Sequence, residues 1–313
     1  GFTAAQCQRP PGSRSGTFDV KEKIMKAKIA YQGEPGANSH IACIEAYPDF
    51  EPLSCRTFED AFQAVKDGEA ALAMIPIDNS VAGRVADIHH LMPAANLHIV
   101  GEYFLRVHHQ LLALPGVALD TVKSSHSHVH ALGQCRKVIH ELGLKAVVAV
   151  DTAGAARELS ESKDKARAVI ASKLAAKIYG LEILREDIED EAHNTTRFVV
   201  LSAAAQDAAL GTEPIITSFI FRVRNVPAAL YKAMGGFATN GVNMTKLESY
   251  QIEGQFSATQ FYADIEGHPE QRSVRLALEE LAFFTSYMRV LGVYKASPYR
   301  AEFARRMAPS QDD

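Results

Sequence analysis

Cysteine is scarce in this chain of 313 residues, and its four cysteines, Cys7, Cys43, Cys55 and Cys135, form no C-x-x-C pair and no zinc spacing. That excludes a disulfide scaffold and reads as reduced thiols in a cytoplasmic protein. Long apolar runs are missing too: none is long enough to span a bilayer. The first ~25 residues lack the apolar core of a secretory signal. A basic excess is also absent, since 33 Lys and Arg against 37 Asp and Glu leave a formal net charge of -4. A nucleic-acid binder would show a basic patch or stripe instead. Neither G-x-G-x-x-G nor G-K-[ST] is present to argue for a nucleotide. Residues 1–27, with Pro10-Pro11-Gly12-Ser13 and Ser15-Gly16, are expected to be a disordered tail, and Met25 is a candidate start.

The hydrophobic content of 47% is enough for proper cores, and the length suggests two or three domains. From residue 28 to 201 the pattern repeats as strand, polar turn, helix. Strands are expected at 28–31, 70–75, 97–103, 106–114, 147–150 and 168–171. Helices are expected at 41–47, from Thr57 (a capping box with Asp60) to Gly68, at 85–92 before Pro93, at 131–142, from Asp151 onward and from Ser172 to Tyr179. Several strands end in Ser, Thr, Asn or Gly, where α/β proteins bind ligands. This is α/β, two lobes around a cleft suited to a small anion.

Five stretches carry the candidate chemistry. Gly33 and Gly36 lead into Asn38-Ser39-His40, a helix start that offers N–H groups to an anion or simply turns a corner. Asp78-Asn79-Ser80 before Gly83 puts small hydrogen-bonding groups at a strand end. His126, His128 and His130 alternate, but the segment turns helical there and no nearby carboxylate or cysteine completes a metal set. Ser127 and His128 at the helix cap suit a carboxylate instead. Asp151 to Ala156 is a strand–small-residue turn–helix cradle. Asn194-Thr195-Thr196-Arg197-Phe198 opens an apolar strand, and alone it reads equally as β-forming threonines or as a binding edge.

Residues 203–214 form a small-residue linker. Beyond it, 216–224 alternates as a strand, Pro227 starts a helix to Asn240, and 242–250 and 255–265 pair across Glu253-Gly254. A helix from His268 and a strand at 289–295 complete βαββαβ, the ferredoxin-like order. One sheet face is expected under two helices, leaving the other face or an edge open to a partner.

Four ordered motifs resemble the prephenate dehydratase family, and the C-terminal part resembles an ACT regulatory domain. Asn194 to Phe198 resembles N-x-T-R-F; Pro76 to Gly83 resembles P-I-E-N-S-x-x-G with Asp78 for Glu; Ser127 to Leu132 resembles S-H-P-Q-A-L with Val129 and His130 as departures; Asp151 to Ala156 resembles D-T-A-x-A-A. The resemblance implies a two-lobed, type II periplasmic-binding-protein-like catalytic domain over 28–202, the linker 203–214, an α+β ACT domain over 215–297 and a tail over 298–313. It implies conversion of prephenate to phenylpyruvate, water and carbon dioxide, with no metal or organic cofactor. Thr196 would be the key catalytic residue, supported by Asn79 and Ser80. Ser127, His128, Thr152, Ala153 and Gly154 would bind substrate, and Arg197 would pair with a substrate carboxylate or sit in a structural ion pair. In the ACT half, Ala229-Leu230 resembles the end of G-A-L, and Asn243, Met244, Glu248 and Ser249 belong to a segment resembling N-L-T-K-I-E-S, with Tyr250-Gln251 replacing Arg-Pro. These would bind phenylalanine as an inhibitor, in a homodimer or homotetramer. Arogenate dehydratase, and a non-catalytic small-anion or amino-acid sensor, are the alternative readings.

Overall fold

The computed structural model describes residues 26–224, 226–251 and 258–307. The expected tail before residue 26, the Glu253-Gly254 turn and residues 308–313 lie outside them.

The first lobe is built from β1 (Lys28–Gln32), α1 (Asn38–Ala46), β2 (Glu51–Cys55), α2 (Phe58–Lys66), β3 (Leu72–Asn79), β4 (Gly83–Arg84), α3 (Ala86–Ala95) and β5 (His98–Arg106). The chain then crosses to the second lobe: β6 (Gln110–Ala113), β7 (Ser124–Ser127), α4 (Val129–Gly133), α5 (Arg136–Glu141), β8 (Lys145–Val148), α6 (Thr152–Ser162), β9 (Arg167–Ala171), α7 (Lys173–Tyr179) and β10 (Glu182–Arg185). It returns as β11 (Thr195–Ser202), which is inserted antiparallel between β3 and β5. The sheets run β2-β1-β3-β11-β5, with β4 hairpinned on β3, and β10-β6-β9-β7-β8. Two crossings between two mixed sheets make the type II binding-protein architecture, with the cleft at the crossings.

The C-terminal domain contains β12 (Ile215–Val223), α8 (Ala229–Thr239), β13 (Met244–Gln251), β14 (Ala258–Glu266), α9 (Arg272–Phe284) and β15 (Thr285–Lys295), in sheet order β13-β14-β12-β15. This is the ferredoxin-like βαββαβ order. β12 alternates as expected: Phe219, Phe221 and Val223 pack under α8 and α9, while Ile216 and Ile220 point the other way.

That other face is not open. Ile216, Ile220, Leu291 and Tyr294 share one buried cluster with Ala73, Ile75, Ile99 and Val199 of the first lobe. β15 lies so close to β5 that a Cβ on Gly292 would run into the Ile99 carbonyl. The sheet is therefore covered on both faces, and an apolar-in, polar-out reading could not anticipate it.

Three local expectations change. Pro93 lies inside α3, near its end, because Arg289 of β15 bonds the Pro93 carbonyl (3.2 Å) and the Asn96 side chain (3.1 Å) just beyond it. The stretch 131–142 is two short helices, since the Asp190 carboxylate takes the N–H groups of Arg136 (2.9 Å) and Lys137 (3.1 Å) and starts α5 anew. The supposed tail after residue 297 is α10 (Pro298–Met307), with Tyr299 stacked on Phe104 and Arg300 paired with Glu102 at 2.7 Å. No helix among the described residues is long and apolar enough to cross a membrane.

Candidate active site

A cavity of ≈ 600 Å³ lies between the lobes, lined among others by Asn38, Ser39, Asn79, His109, His128, Gln134, Thr152 and Thr196. That size suits a small molecule.

Thr196 and Asn79 are cross-strand partners on β11 and β3. The Asn79 carboxamide oxygen accepts the N–H groups of Val81 (3.0 Å) and Ala82 (2.8 Å) in the hairpin. Its nitrogen therefore points at Thr196 Oγ1 (3.0 Å) and at Asn194 Oδ1 (2.8 Å). Thr196 Oγ1 thus accepts from Asn79 and keeps its own proton to donate into the cleft. Asn194, almost fully buried, donates onward to Gln134 Oε1 across the cleft (2.6 Å), and Gln134 Oε1 also contacts His109 Nε2 (3.0 Å). A continuous polar chain joins the two lobes at the cleft.

The electrostatics are mild. Burial pushes His109 and His128 below the ordinary histidine pKa, with the neighbouring His130 adding to the effect at His128. Both are neutral near pH 7. Helix α1 starts at the cleft without a side-chain cap, so its first-turn N–H groups are available to an anion. The α6 start is different. There Asp151 accepts the Gly154 N–H at 2.6 Å, and a Cβ on Gly154 would clash with that carboxylate.

The expected site residues divide accordingly. Thr196, Asn79, His128 and Thr152 line the cleft. Ala153 and Gly154 are buried under the Asp151 cap, and Ser127 is buried with its hydroxyl bonded to the Ile170 carbonyl at 2.6 Å. Ser80 points the other way from Asn79: it donates to the His193 carbonyl (2.8 Å) and accepts the Thr195 N–H (2.9 Å). Arg197, next to Thr196, is turned to the opposite face of the sheet. It bonds Glu102 (2.9 Å), Asp264 (2.5 Å) and Tyr294 (3.0 Å), and the first two partners are fully buried carboxylates. Of the two alternatives for Arg197, the structure contains the ion pair.

Ala229 and Leu230 begin α8 and pack with Met244 against the C-terminal core. Asn243 bonds Glu266 (3.1 Å). Glu248 and the Ser249 carbonyl both meet Arg84 of the β3–β4 hairpin, at 3.6 and 2.9 Å. His126, His128 and His130 do not share ligand-like spacing: His126 bonds Ser124, and the His128 ring accepts the His130 N–H. Among the described residues the group with ligand-like spacing is His108, Asp187 and Glu189 at the lobe crossings, where His108 already bonds Glu189 at 2.9 Å. Gln134 and His109 went unnoticed in the sequence, because nothing local marks a glutamine between two helices until Asn194 arrives from 60 residues away.

A family model described as prephenate dehydratase matches residues 29–206. A bifunctional N-acyl-homoserine lactone acylase/prephenate dehydratase from Komagataeibacter europaeus is 52% identical over 272 residues, covering 87% of this chain and 97% of its own. The arogenate dehydratase/prephenate dehydratase 2 of Arabidopsis thaliana, a chloroplastic protein, is 37% identical over 279 residues, covering 86% of this chain and 73% of its own. A crystal structure of prephenate dehydratase from Arthrobacter aurescens in complex with L-Phe superposes with a TM-score of 0.79 at 29% identity, covering 90% of this chain and 97% of that one.

Proposed function

The chain belongs to the prephenate dehydratase family of lyases, and from that premise we propose that it converts prephenate to phenylpyruvate, water and carbon dioxide, with Thr196 as its principal catalytic residue. The observation that carries this reading is the Asn79–Thr196 bond of 3.0 Å at the edge of the interlobe cavity. Loss of the ring carboxylate sends the electrons of its C–C bond into the ring and expels the hydroxyl at the far carbon as the ring becomes aromatic. The enzyme's main task is to ease that departure. A threonine hydroxyl whose oxygen already accepts from Asn79 donates its proton as a hydrogen bond to the leaving oxygen and stabilises the developing charge. The uncapped start of α1 and the Thr152 edge supply donors for the carboxylates. No step in this account draws on a metal or organic cofactor.

The C-terminal domain is read as an ACT module that takes phenylalanine as a feedback inhibitor near Ala229, Leu230, Asn243, Met244, Glu248 and Ser249, in a homodimer or homotetramer. The L-Phe complex of the Arthrobacter relative supports this, as does the contact of Glu248 and Ser249 with the hairpin that bears Asn79. A cytoplasmic location is part of the same reading.

A spectrophotometric assay of the purified chain for phenylpyruvate from prephenate tests the activity, with phenylalanine titrated in. Turnover that phenylalanine suppresses supports both halves. Turnover without suppression removes the regulatory half, and no turnover leaves the sensor reading. Arogenate is tested in parallel, by the phenylalanine it would yield, because the Arabidopsis relative carries both names. An N-acyl-homoserine lactone is tested separately, by release of the fatty acid and homoserine lactone, because the relative at 52% identity is named for both chemistries.

A further inference from the structure

We propose that His109 is a positioning residue that turns the Gln134 carboxamide so that its NH2 group faces a carboxylate in the cleft; this rests on the reading of that cleft as a prephenate site. The orientation follows from donors that cannot reverse. The backbone N–H groups of Val81 and Ala82 compel the Asn79 oxygen to face them, which sends the Asn79 nitrogen to Asn194 Oδ1. Asn194 must then give its nitrogen to Gln134 Oε1. With Oε1 an acceptor, the His109 Nε2 that touches it at 3.0 Å has to be the donor. Gln134 Oε1 is thereby held from two sides, by Asn194 and by His109. Its NH2 group has no protein partner among the described residues, and Gln134 lines the cavity.

His109 suits this task because its own backbone is pinned. Its N–H donates to Glu189 Oε2 at 3.0 Å and its carbonyl accepts the Ile188 N–H at 2.9 Å, both from the second lobe crossing. Without the imidazole, only Asn194 opposes a flip that would present an oxygen to the substrate carboxylate. A contact to the side-chain carboxylate, which the reaction leaves intact, acts equally on bound substrate and transition state, so its loss appears in KM and not in kcat.

The test uses the full chain as His109→Ala, His109→Gln, His109→Asn, Gln134→Ala and the His109→Ala/Gln134→Ala double variant, each checked for thermal unfolding. His109→Ala and His109→Asn are expected to raise KM by about tenfold with kcat nearly unchanged. His109→Gln restores KM, because a glutamine nitrogen can occupy the place of imidazole Nε2, whereas asparagine is too short. If alanine fails to fold, the Gln and Asn pair carries the same contrast. The double variant is expected to be no worse than Gln134→Ala. Effects that multiply, or a fall in kcat with KM unmoved, overturn the proposal. The side-chain amide resonance of Gln134, assigned in glutamine-labelled protein by its loss in Gln134→Ala, should shift further in His109→Asn than in His109→Gln, where the hydrogen-bond donor is restored. That measurement needs no substrate, so a wild type inactive on prephenate refutes the reaction reading while the amide still decides whether His109 orients Gln134. An amide that does not respond to His109→Asn overturns the proposal.

Discussion

Thr196 and Arg197 are consecutive residues on one strand, yet they belong to different parts of the molecule. Thr196 faces the interlobe cavity with Asn79; Arg197 faces the C-terminal domain with Asp264, Glu102 and Tyr294. Their partners on β3 divide in the same way, since Asn79 turns to the cleft and Asp78 to Lys246 of the C-terminal domain at 2.6 Å. The period-two geometry of a strand makes β11 a shared wall, chemistry on one face and domain docking on the other. A motif that reads as one run of polar donors is thus two devices interleaved.

The contrast can be broken from either side. Removing the hydroxyl with Thr196→Ala should cost about 10²–10³ in turnover, measured as phenylpyruvate formed from prephenate, while the denaturation midpoint stays near wild type. Arg197→Leu should do the reverse. It strands the buried Asp264 carboxylate in the interface, while Glu102 keeps Arg300, and should cost about 3–5 kcal/mol of stability, read from urea unfolding; a stable variant with impaired substrate binding alone would put Arg197 back in the cleft.

A smaller effect concerns acid. Burial pushes the Asp264 carboxyl up, but the Arg197 charge and the Ser218 hydroxyl outweigh it and hold it below the ordinary value of 3.8. The unfolded chain binds that proton more readily. The stabilisation is therefore complete above pH ~4 and lost as pH falls through the depressed native value. Acid unfolding of Asp264→Asn should accordingly lose less stability between pH 4 and 2, roughly, than the wild type does. Smallest of all is Ser80→Ala. Ser80 bonds the His193 carbonyl and the Thr195 N–H away from the cavity, so the variant should cost about 1 kcal/mol and leave turnover close to wild type. A large loss of turnover would return Ser80 to the reacting groups.

Local rules in the chain were enough for a good part of this. The capping box of Thr57 and Asp60 is present at α2 with both bonds made. The alternation of Phe219, Phe221 and Val223 against Ile220, and the βαββαβ order, follow from side-chain period alone. Thr196 and Asn79 were legible through their motifs, and their pairing supplies the reason those motifs sit at strand ends. What stayed hidden did so for different reasons. The strand β2, with its mixed exposure, has no strong period to announce it. The α10 helix gains its place from Phe104 and Glu102 about 195 residues earlier. The small-residue cradle at Gly154 looks like an anion site until Asp151 is seen filling it.

The amino-acid sequence by itself determined the α/β and ferredoxin-like classes, the family and the two side chains at the edge of the cleft, because these rest on period, caps and short motifs. Only the tertiary structure decided which way each neighbour in a motif faces and what meets it. Arg197 became an interface residue because Asp264 lies buried 67 residues away, and Gln134 entered the cleft because Asn194 reaches it across the lobes. A buried charge or amide is defined by its partner, and the partner is set by packing.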